Sequence, residues 1–523
     1  MSGFASLLAV LLIAVLLASI ARRVGAPYPA FLALGGAVLA FVPGAPRFSI
    51  DPEVALALFV APVLLDAAYD SSPRDLKDNW VAVGSLALVA VVLTTVAVAW
   101  VARALVPAMP WAAAIALGAI VSPPDAAAAT AVLKQLRPPH RILMILEGES
   151  LLNDASALLI YRLAVGAVAM RAFSVGDLAP TLGLVLVGSV LVGLVLAWAM
   201  LWMTRAICDV PTAIIVQFVG AFGVWILADR LDLSPVLTMV TFAIAVARRA
   251  PASTPARVRV PSYAVWESAV FVLNVLAFVF IGLQIRPILN SLEPEARSRY
   301  LVVAGAVLLT VIFGRMAWVM THNLVARLWI RWRGFHPPRP MSPPTVESGL
   351  VISWSGMRGI VSLAAALALP EGFPYRDLVV LTAFAVVLGT LVLQGLTLKP
   401  LMRSLRLDED DPVAREVEDA RRRALDAVRA AVGDDGSSTE ARFVRHAFEA
   451  RLGASAPDGS DDPDGHAHDR GDRLFRSALE AARRVTFDMR ARDEIGDDAF
   501  HRLEEDLDWM EMGVTGTQSP IGG

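Results

Sequence analysis

The apolar residues of this chain fall in long runs separated by short polar stretches. A membrane-spanning helix takes about 20 mainly apolar residues. That length picks out thirteen spans, near 3–20, 28–43, 53–70, 80–102, 111–133, 142–170, 179–204, 212–228, 235–247, 263–285, 300–326, 348–369 and 377–398. The runs stop near Arg406. Beyond it the pattern turns amphipathic and predicts helices over 413–432, 439–452, 473–493 and 497–511. A linker rich in Gly, Asp and Ser separates the second of these from the third.

Composition agrees with the pattern. The 523 residues are 56% hydrophobic and 18% charged, against about 25% charged in a soluble domain. The expected architecture is an all-α membrane protein with a helical tail. The overall charge of −3 hides two regions: residues 1–406 carry a net +10 and residues 407–523 a net −13. This predicts a membrane domain over 1–406 and an acidic tail over 407–523. Nothing suggests a nucleic-acid partner, and the single cysteine, Cys208, rules out a disulfide framework.

Charge placement sets the expected orientation. The first span has no positive residue before it and Arg22–Arg23 after it, the reverse of a signal peptide. With that pair inside, inside loops hold sixteen Lys and Arg and outside loops eight, in line with the positive-inside bias. The N-terminus is then outside and the tail cytoplasmic, in a multi-pass protein of the cell membrane.

Polar groups at membrane depth are costly and usually functional. Asp66 lies one turn inside the end of the third span, deeper than Asp70. Ser122-Pro123-Pro124-Asp125 interrupts the fifth span, since tandem prolines remove backbone donors and clash with the preceding turn. The freed carbonyls must face protein or a wet cavity. In the sixth span, Glu147-Gly148-Glu149-Ser150-Leu151-Leu152-Asn153-Asp154 places Ser150 and Asp154 on one helical face, with Glu149 and Asn153 on another. In the twelfth, two glycines and three serines surround Arg358 over 353–362. The interrupted fifth and twelfth spans are seven apart, so they cross in opposite directions. Spans 1–6 and 8–13 would be inverted repeats with the breaks meeting at the midplane. Asp125 could offset the N-terminal dipoles of the half-helices and Arg358 the C-terminal ones. Arg315 reads as a structural cation, and His466 and His468 as part of an acidic loop rather than a metal site.

A hard monovalent cation takes oxygen ligands, which Asp154, Ser150 and the carbonyls near Pro123 could supply. A carboxylate that holds either a proton or a cation gives obligate exchange. An ion channel gated by the tail, and a receptor or scaffold with a vestigial membrane part, are the rival readings. No phosphate loop, metal cluster or nucleophile constellation suggests an enzyme, and no cofactor is expected.

The strings APVLLDAAY, SPPDAAAAT, EGESLLNDASALLIYR and WSGMRGIVSLAAALALP resemble the monovalent cation/proton antiporters, the family of bacterial NhaP-type Na+/H+ antiporters and animal Na+/H+ exchangers. The resemblance covers roughly residues 1–405 and leaves the tail unmatched. It implies a thirteen-helix fold, a homodimer and elevator-like alternating access. It implies that Asp154 binds Na+ or proton with Ser150 and Asp125 beside it, that Asp66 is the third-span acid, and that Asn153 marks electroneutral exchange. It further implies a buried ion pair between Glu149 and Arg358. Many relatives have Thr where this chain has Pro124, which leaves Na+ against K+ or Li+ open. A regulatory ligand or protein is the partner expected for the tail.

Overall fold

The computed structural model describes the chain except for residues 1, 25–26, 44–50, 134–135, 137, 171–174, 206, 208, 293, 335–342, 406, 408–411, 433–438, 453–466 and 516–523. Cys208, His466 and the loop cations Arg47, Lys134, Arg137, Arg171 and Arg339 lie outside the described residues. The helices, in order, are α1 (Ser2–Val24), α2 (Tyr28–Leu39), α3 (Pro52–Asp70), α4 (Pro73–Asp78), α5 (Trp80–Gly84), a π-helical stretch (Ser85–Ala90), α6 (Val91–Leu105), α7 (Trp111–Val121), α8 (Ala126–Leu133), α9 (His140–Met170), α10 (Val175–Thr204), α11 (Val210–Arg230), α12 (Pro235–Ser253), α13 (Ala256–Leu283), α14 (Ile285–Ser291), α15 (Pro294–Arg333), α16 (Val346–Trp354), α17 (Ile360–Leu367), α18 (Arg376–Ser404), α19 (Pro412–Val432), α20 (Thr439–Leu452), α21 (Ala467–Ala491) and α22 (Asp497–Thr515).

Each of the thirteen apolar runs falls on a helix or on consecutive helices, the fourth on α5, the π-helical stretch and α6. Among the described residues, eight helices are long and apolar enough to cross a membrane. The fifth run divides into α7 and α8, the twelfth into α16 and α17, and in each case the expected break is present. The short run at 235–247 belongs to the longer α12, whose first turn is capped by Ser234 through its Oγ and the Leu237 N–H.

The membrane helices pack as two groups. One comprises α1, α2, α3 and α10 to α13; the other α5 to α9 and α15 to α18. In the first, α2 and α13 approach so closely that a Cβ on Gly282 would strike the α2 backbone at Ala33 and Ala37. The second group contains two similar triplets: a long helix, an interrupted one and another long helix. The first triplet is α6, α7/α8 and α9; the second is α15, α16/α17 and α18. They meet mainly through α6 against α15, with α7 also touching α17, and the two groups join mainly through α3 against α17 and α2 against α18. The π-helical stretch is braced from α9, where the Ser156 hydroxyl donates to the Ala87 carbonyl at 2.6 Å.

The tail forms its own bundle. Two apolar clusters hold it, one around Phe448 and Phe475, the other around Met489, Phe500 and Leu503. Its helices match the expected runs closely and pack against the end of the membrane domain that bears Arg74, His140 and Arg259.

Candidate functional site

The breaks in α7/α8 and α16/α17 are stitched together. The Asp125 N–H donates to the Met357 carbonyl at 2.7 Å, directly joining the two interruptions. The proline pair frees the last carbonyls of α7, which would otherwise be buried without donors. Arg358 takes them: its Nε donates to the Val121 carbonyl at 3.0 Å and its Nη2 to the Ser122 carbonyl at 3.1 Å. Its Nη1 donates to the Gly356 carbonyl. The Arg358 N–H is held by the Thr390 hydroxyl of α18 at 3.0 Å. At the other half-helix, an Asp125 carboxylate oxygen accepts the Ala127 N–H at 2.9 Å, an anion at the N-terminus of α8. Gly359 is required there, because a Cβ at that position would fall on Asp125 Oδ2.

α9 runs alongside. The Asn153 amide donates to the Pro124 carbonyl at 2.9 Å, so this side chain closes the break in α7/α8. Its Oδ1 is buried with no hydrogen-bond partner among the described residues. The Pro123 carbonyl lies between the two carbonyls occupied by Arg358 and Asn153. Asp154 follows directly, 7% exposed and near enough to Asp125 for their charges to interact. Ser150 sits one turn earlier on the same helix, partly buried. Asp125, Asn153, Pro123 and Asp154 thus gather at the crossing.

The expected Glu149–Arg358 pair is corrected. Glu149 is engaged by Arg315 of α15, whose Nη1 and Nη2 both donate to its carboxylate, the latter at 2.8 Å. The planar guanidinium of Arg315 meets the carboxylate in a two-pronged fork, a strong geometry for a buried pair. Each side-chain nitrogen of Arg358 donates instead to a backbone carbonyl, of Val121, Gly356 or Ser122. Arg315 also donates to the Ile352 carbonyl in the last turn of α16 at 3.1 Å. Each interrupted helix therefore has an arginine on its terminal carbonyls: Arg358 on α7 and Arg315 on α16. All three side chains are almost wholly buried. A charge in the middle of the eleventh span was the visible signal for Arg315. No sequence signal marked Thr390.

Asp66 lies on α3. It lines a cavity of about 390 Å³ with Tyr69, Gln217, Arg259, Tyr263 and Glu267, enclosed by α3 and α10 to α13. Neither Asp125, Ser150 nor Asp154 lines it. Among the described residues, no group of three or more His, Cys, Asp or Glu is arranged to hold a metal ion.

Comparison with known proteins agrees with this geometry. A family model described as sodium/hydrogen exchanger, transmembrane, matches residues 8–404. An uncharacterised Na+/H+ exchanger of Mycobacterium tuberculosis is 32% identical over 513 residues, covering 94% of this chain and 92% of the relative. A sodium, potassium, lithium and rubidium/H+ antiporter of Bacillus subtilis is 30% identical over 391 residues, covering 71% of this chain and 57% of the relative. The solved structure of the sodium proton antiporter MjNhaP1 from Methanocaldococcus jannaschii aligns with a TM-score of 0.59 at 16% identity, covering 77% of this chain and 99% of that one.

Proposed function

The chain belongs to the sodium/hydrogen exchanger family, and we propose that it exchanges a monovalent cation, Na+ first, for H+ across the cell membrane. The observation that carries this is the buried Asp154, placed beside two stitched helix breaks whose other polar groups already have duties. Arg358 neutralises the α7 terminus, Asp125 the α8 terminus, and Asn153 closes the prolyl gap. Asp154 makes none of these structural bonds, so its carboxylate is the group available for exchange.

A proton and a cation then compete for one site. Asp154, Ser150 and the Pro123 carbonyl supply oxygens suited to a hard cation. A charge left uncompensated in a low-dielectric site is costly, so Asp154 crosses only when neutralised by a proton or a cation. That rule yields exchange rather than leak, and one carboxylate yields one cation per proton. Movement of the second helix group against the first, as in an elevator, would present Asp154 to either side in turn. The protein would work as a homodimer without cofactor, with N-terminus outside and residues 407–523 cytoplasmic and regulatory. The reading makes it a transporter and not an enzyme. The name of the Bacillus subtilis relative supports a wider cation range, with K+/H+ exchange as the second reading.

The test is reconstitution into proteoliposomes with an imposed proton gradient, scanned over Na+, K+ and Li+. Cation-driven proton movement should appear, be abolished in Asp154→Asn, and have an equilibrium indifferent to an imposed membrane potential. Cation flux that persists without proton movement would favour a channel and sink the proposal.

A further inference from the structure

Another cavity lies within the second helix group, at the end of the membrane domain where the tail docks. Its volume is about 90 Å³. It sits between α5, the π-helical stretch, α9, α15 and the first turn of α16. Its polar lining is Arg141, His322, Asn323, Thr345 and Ser348, and no carboxylate lines it. Glu347, though in the first turn of α16, is not part of the wall. Neither Asp125, Ser150 nor Asp154 reaches it, so the helix crossing does not account for this cavity.

Its chemistry has two sides. On one side are donors and positive charge. Arg141 is steadied by Asn79, whose Oδ1 accepts from its Nε at 3.2 Å. His322 offers an N–H in either tautomer. Thr345 caps α16, its Oγ1 accepting the Ser348 N–H at 3.1 Å, and its hydroxyl can still donate. The N-terminus of α16 adds partial positive charge. On the other side is one acceptor. Asn323 is 7% exposed, and its Nδ2 donates to the Thr345 carbonyl at 2.9 Å. A carbonyl can only accept, so that bond fixes which way the amide faces. Its Oδ1 is then buried with no hydrogen-bond partner among the described residues, a costly state for an acceptor. The group that complements this wall is an anion that also carries a donor: a phosphate with a hydroxyl close by.

The surroundings select a membrane source for it. Beside His322 and Asn323 on α15, Leu324, Val325, Leu328 and Trp329 are exposed, as are Trp80 and Val81 next to Ala82 on α5. Exposed apolar side chains on membrane helices meet lipid tails, and tryptophan gathers at headgroup level. Arg327, Arg331 and Arg333 follow on the last turns of α15, with the Arg333 guanidinium 5.5 Å above the Trp329 ring. Basic residues so placed attract anionic headgroups. We propose that the cavity binds the headgroup of an anionic phospholipid, its phosphate on Arg141, His322 and Thr345 and a headgroup hydroxyl donating to Asn323 Oδ1. Phosphatidylglycerol carries both groups. Every helix around the cavity belongs to the second group, so the lipid clamps the first turn of α16 to α9 and α15 without bridging to the first group. Binding there needs a membrane but not exchange.

The experiment uses the full chain, purified and delipidated in detergent. Native mass spectrometry counts bound lipid, and melting curves are taken on the same samples. Phosphatidylglycerol, phosphatidylcholine and inorganic phosphate are added separately; phosphatidylcholine keeps the phosphate but has no headgroup hydroxyl and no net charge. Phosphatidylglycerol should give one retained lipid per chain and raise the melting temperature, and the other two should do neither. Arg141→Gln and His322→Leu should each weaken that binding about fivefold, the effect of one basic residue at an anionic surface. Arg141→Lys should keep most of the affinity. Arg205→Gln, which removes an exposed charge just after α10, should bind as wild type does. Melting curves without lipid identify a variant that fails to fold; if Arg141→Gln is one, His322→Leu and Arg141→Lys carry the comparison. Phosphatidylcholine bound as tightly as phosphatidylglycerol, inorganic phosphate raising the melting temperature as much, or lipid binding unchanged in folded Arg141→Gln or His322→Leu would each overturn the lipid site.

Discussion

The pairing of Glu149 with Arg315 can be measured directly. Both side chains are nearly fully buried and joined by two hydrogen bonds. Replacing either by Ala leaves the other charged and unpaired, which costs about 3–5 kcal/mol. Removing both takes away the orphaned charge as well as the pair. The double Glu149→Ala/Arg315→Ala variant should therefore be more stable than the summed singles by on the order of 2 kcal/mol. Arg358→Ala is also damaging, for a different reason: it strands the carbonyls of Val121, Ser122 and Gly356, at about 1–3 kcal/mol for each group left unsatisfied. Glu149 shares none of those bonds, so the coupling between Glu149→Ala and Arg358→Ala should stay under about 1 kcal/mol. The assay is denaturant unfolding of the purified variants in one detergent, analysed as two double-mutant cycles. A Glu149–Arg358 coupling equal to or larger than the Glu149–Arg315 coupling would refute the assignment.

Asp154→Asn should abolish proton-coupled exchange while its melting temperature holds or rises, because an isosteric amide keeps the packing and removes a buried charge; normal exchange by the folded variant would dismiss the site. Asp229→Asn, at a half-exposed surface pair with Arg162, is the control and should transport normally. Gly359→Ala should cripple transport and lower the melting temperature, since the new methyl group lands on Asp125 Oδ2; wild-type flux would show that the breaks have slack. Burial works to raise the Asp75 carboxyl, but the hydrogen bond from His140 and the Arg74 charge outweigh it and hold the carboxyl below the usual carboxylate range, which makes a pH prediction. A depressed carboxylate contributes stability above its unfolded value, 3.8, and loses that contribution as pH falls through the folded value. Asp75→Asn should thus weaken tail docking at pH 7, read by amide exchange in α22, and the difference should fade as pH falls through the folded value; equal protection at pH 7 would remove Asp75 from the interface.

Much of this was legible in the sequence because the membrane simplifies the code. Apolar run length locates helices with little help from tertiary context, and Pro123-Pro124 and Gly356/Gly359 announce the interruptions by backbone chemistry alone. The helical face shared by Ser150 and Asp154 follows from a 100° step. What stayed hidden were the partners. Two arginines lie at membrane depth, Arg315 and Arg358, and the resemblance implied Arg358 as the partner of Glu149. Which one reaches it depends on the rotation of α15 against α9, and no periodicity encodes that. Asp66 was hidden in the same way. Its depth in the third span was clear, but the cavity it shares with residues of α10 to α13 is a matter of packing. The docking of the tail joins residues as far apart as Arg74 and Glu416, and composition could mark only the boundary.

The division of labour at the crossing bears on stoichiometry. An interrupted helix exposes carbonyls at one half-helix end and N–H groups at the other, and a buried site must satisfy both kinds before it can bind anything. Here the carbonyls go to Arg358 and Arg315, the α8 amides to Asp125, and the prolyl gap to the Asn153 amide. Asn153 can fill that last role because it carries an N–H donor; an ionised carboxylate in its place would face the Pro124 carbonyl with two acceptors and no donor. Asp125, by contrast, already accepts the Ala127 N–H at the N-terminus of α8. Of the side chains at the crossing, Asp154 alone is both titratable and uncommitted to the backbone. On the exchange reading proposed above, a site built this way would have one carboxylate to hand between proton and cation, with the polar groups around it keeping the break rigid.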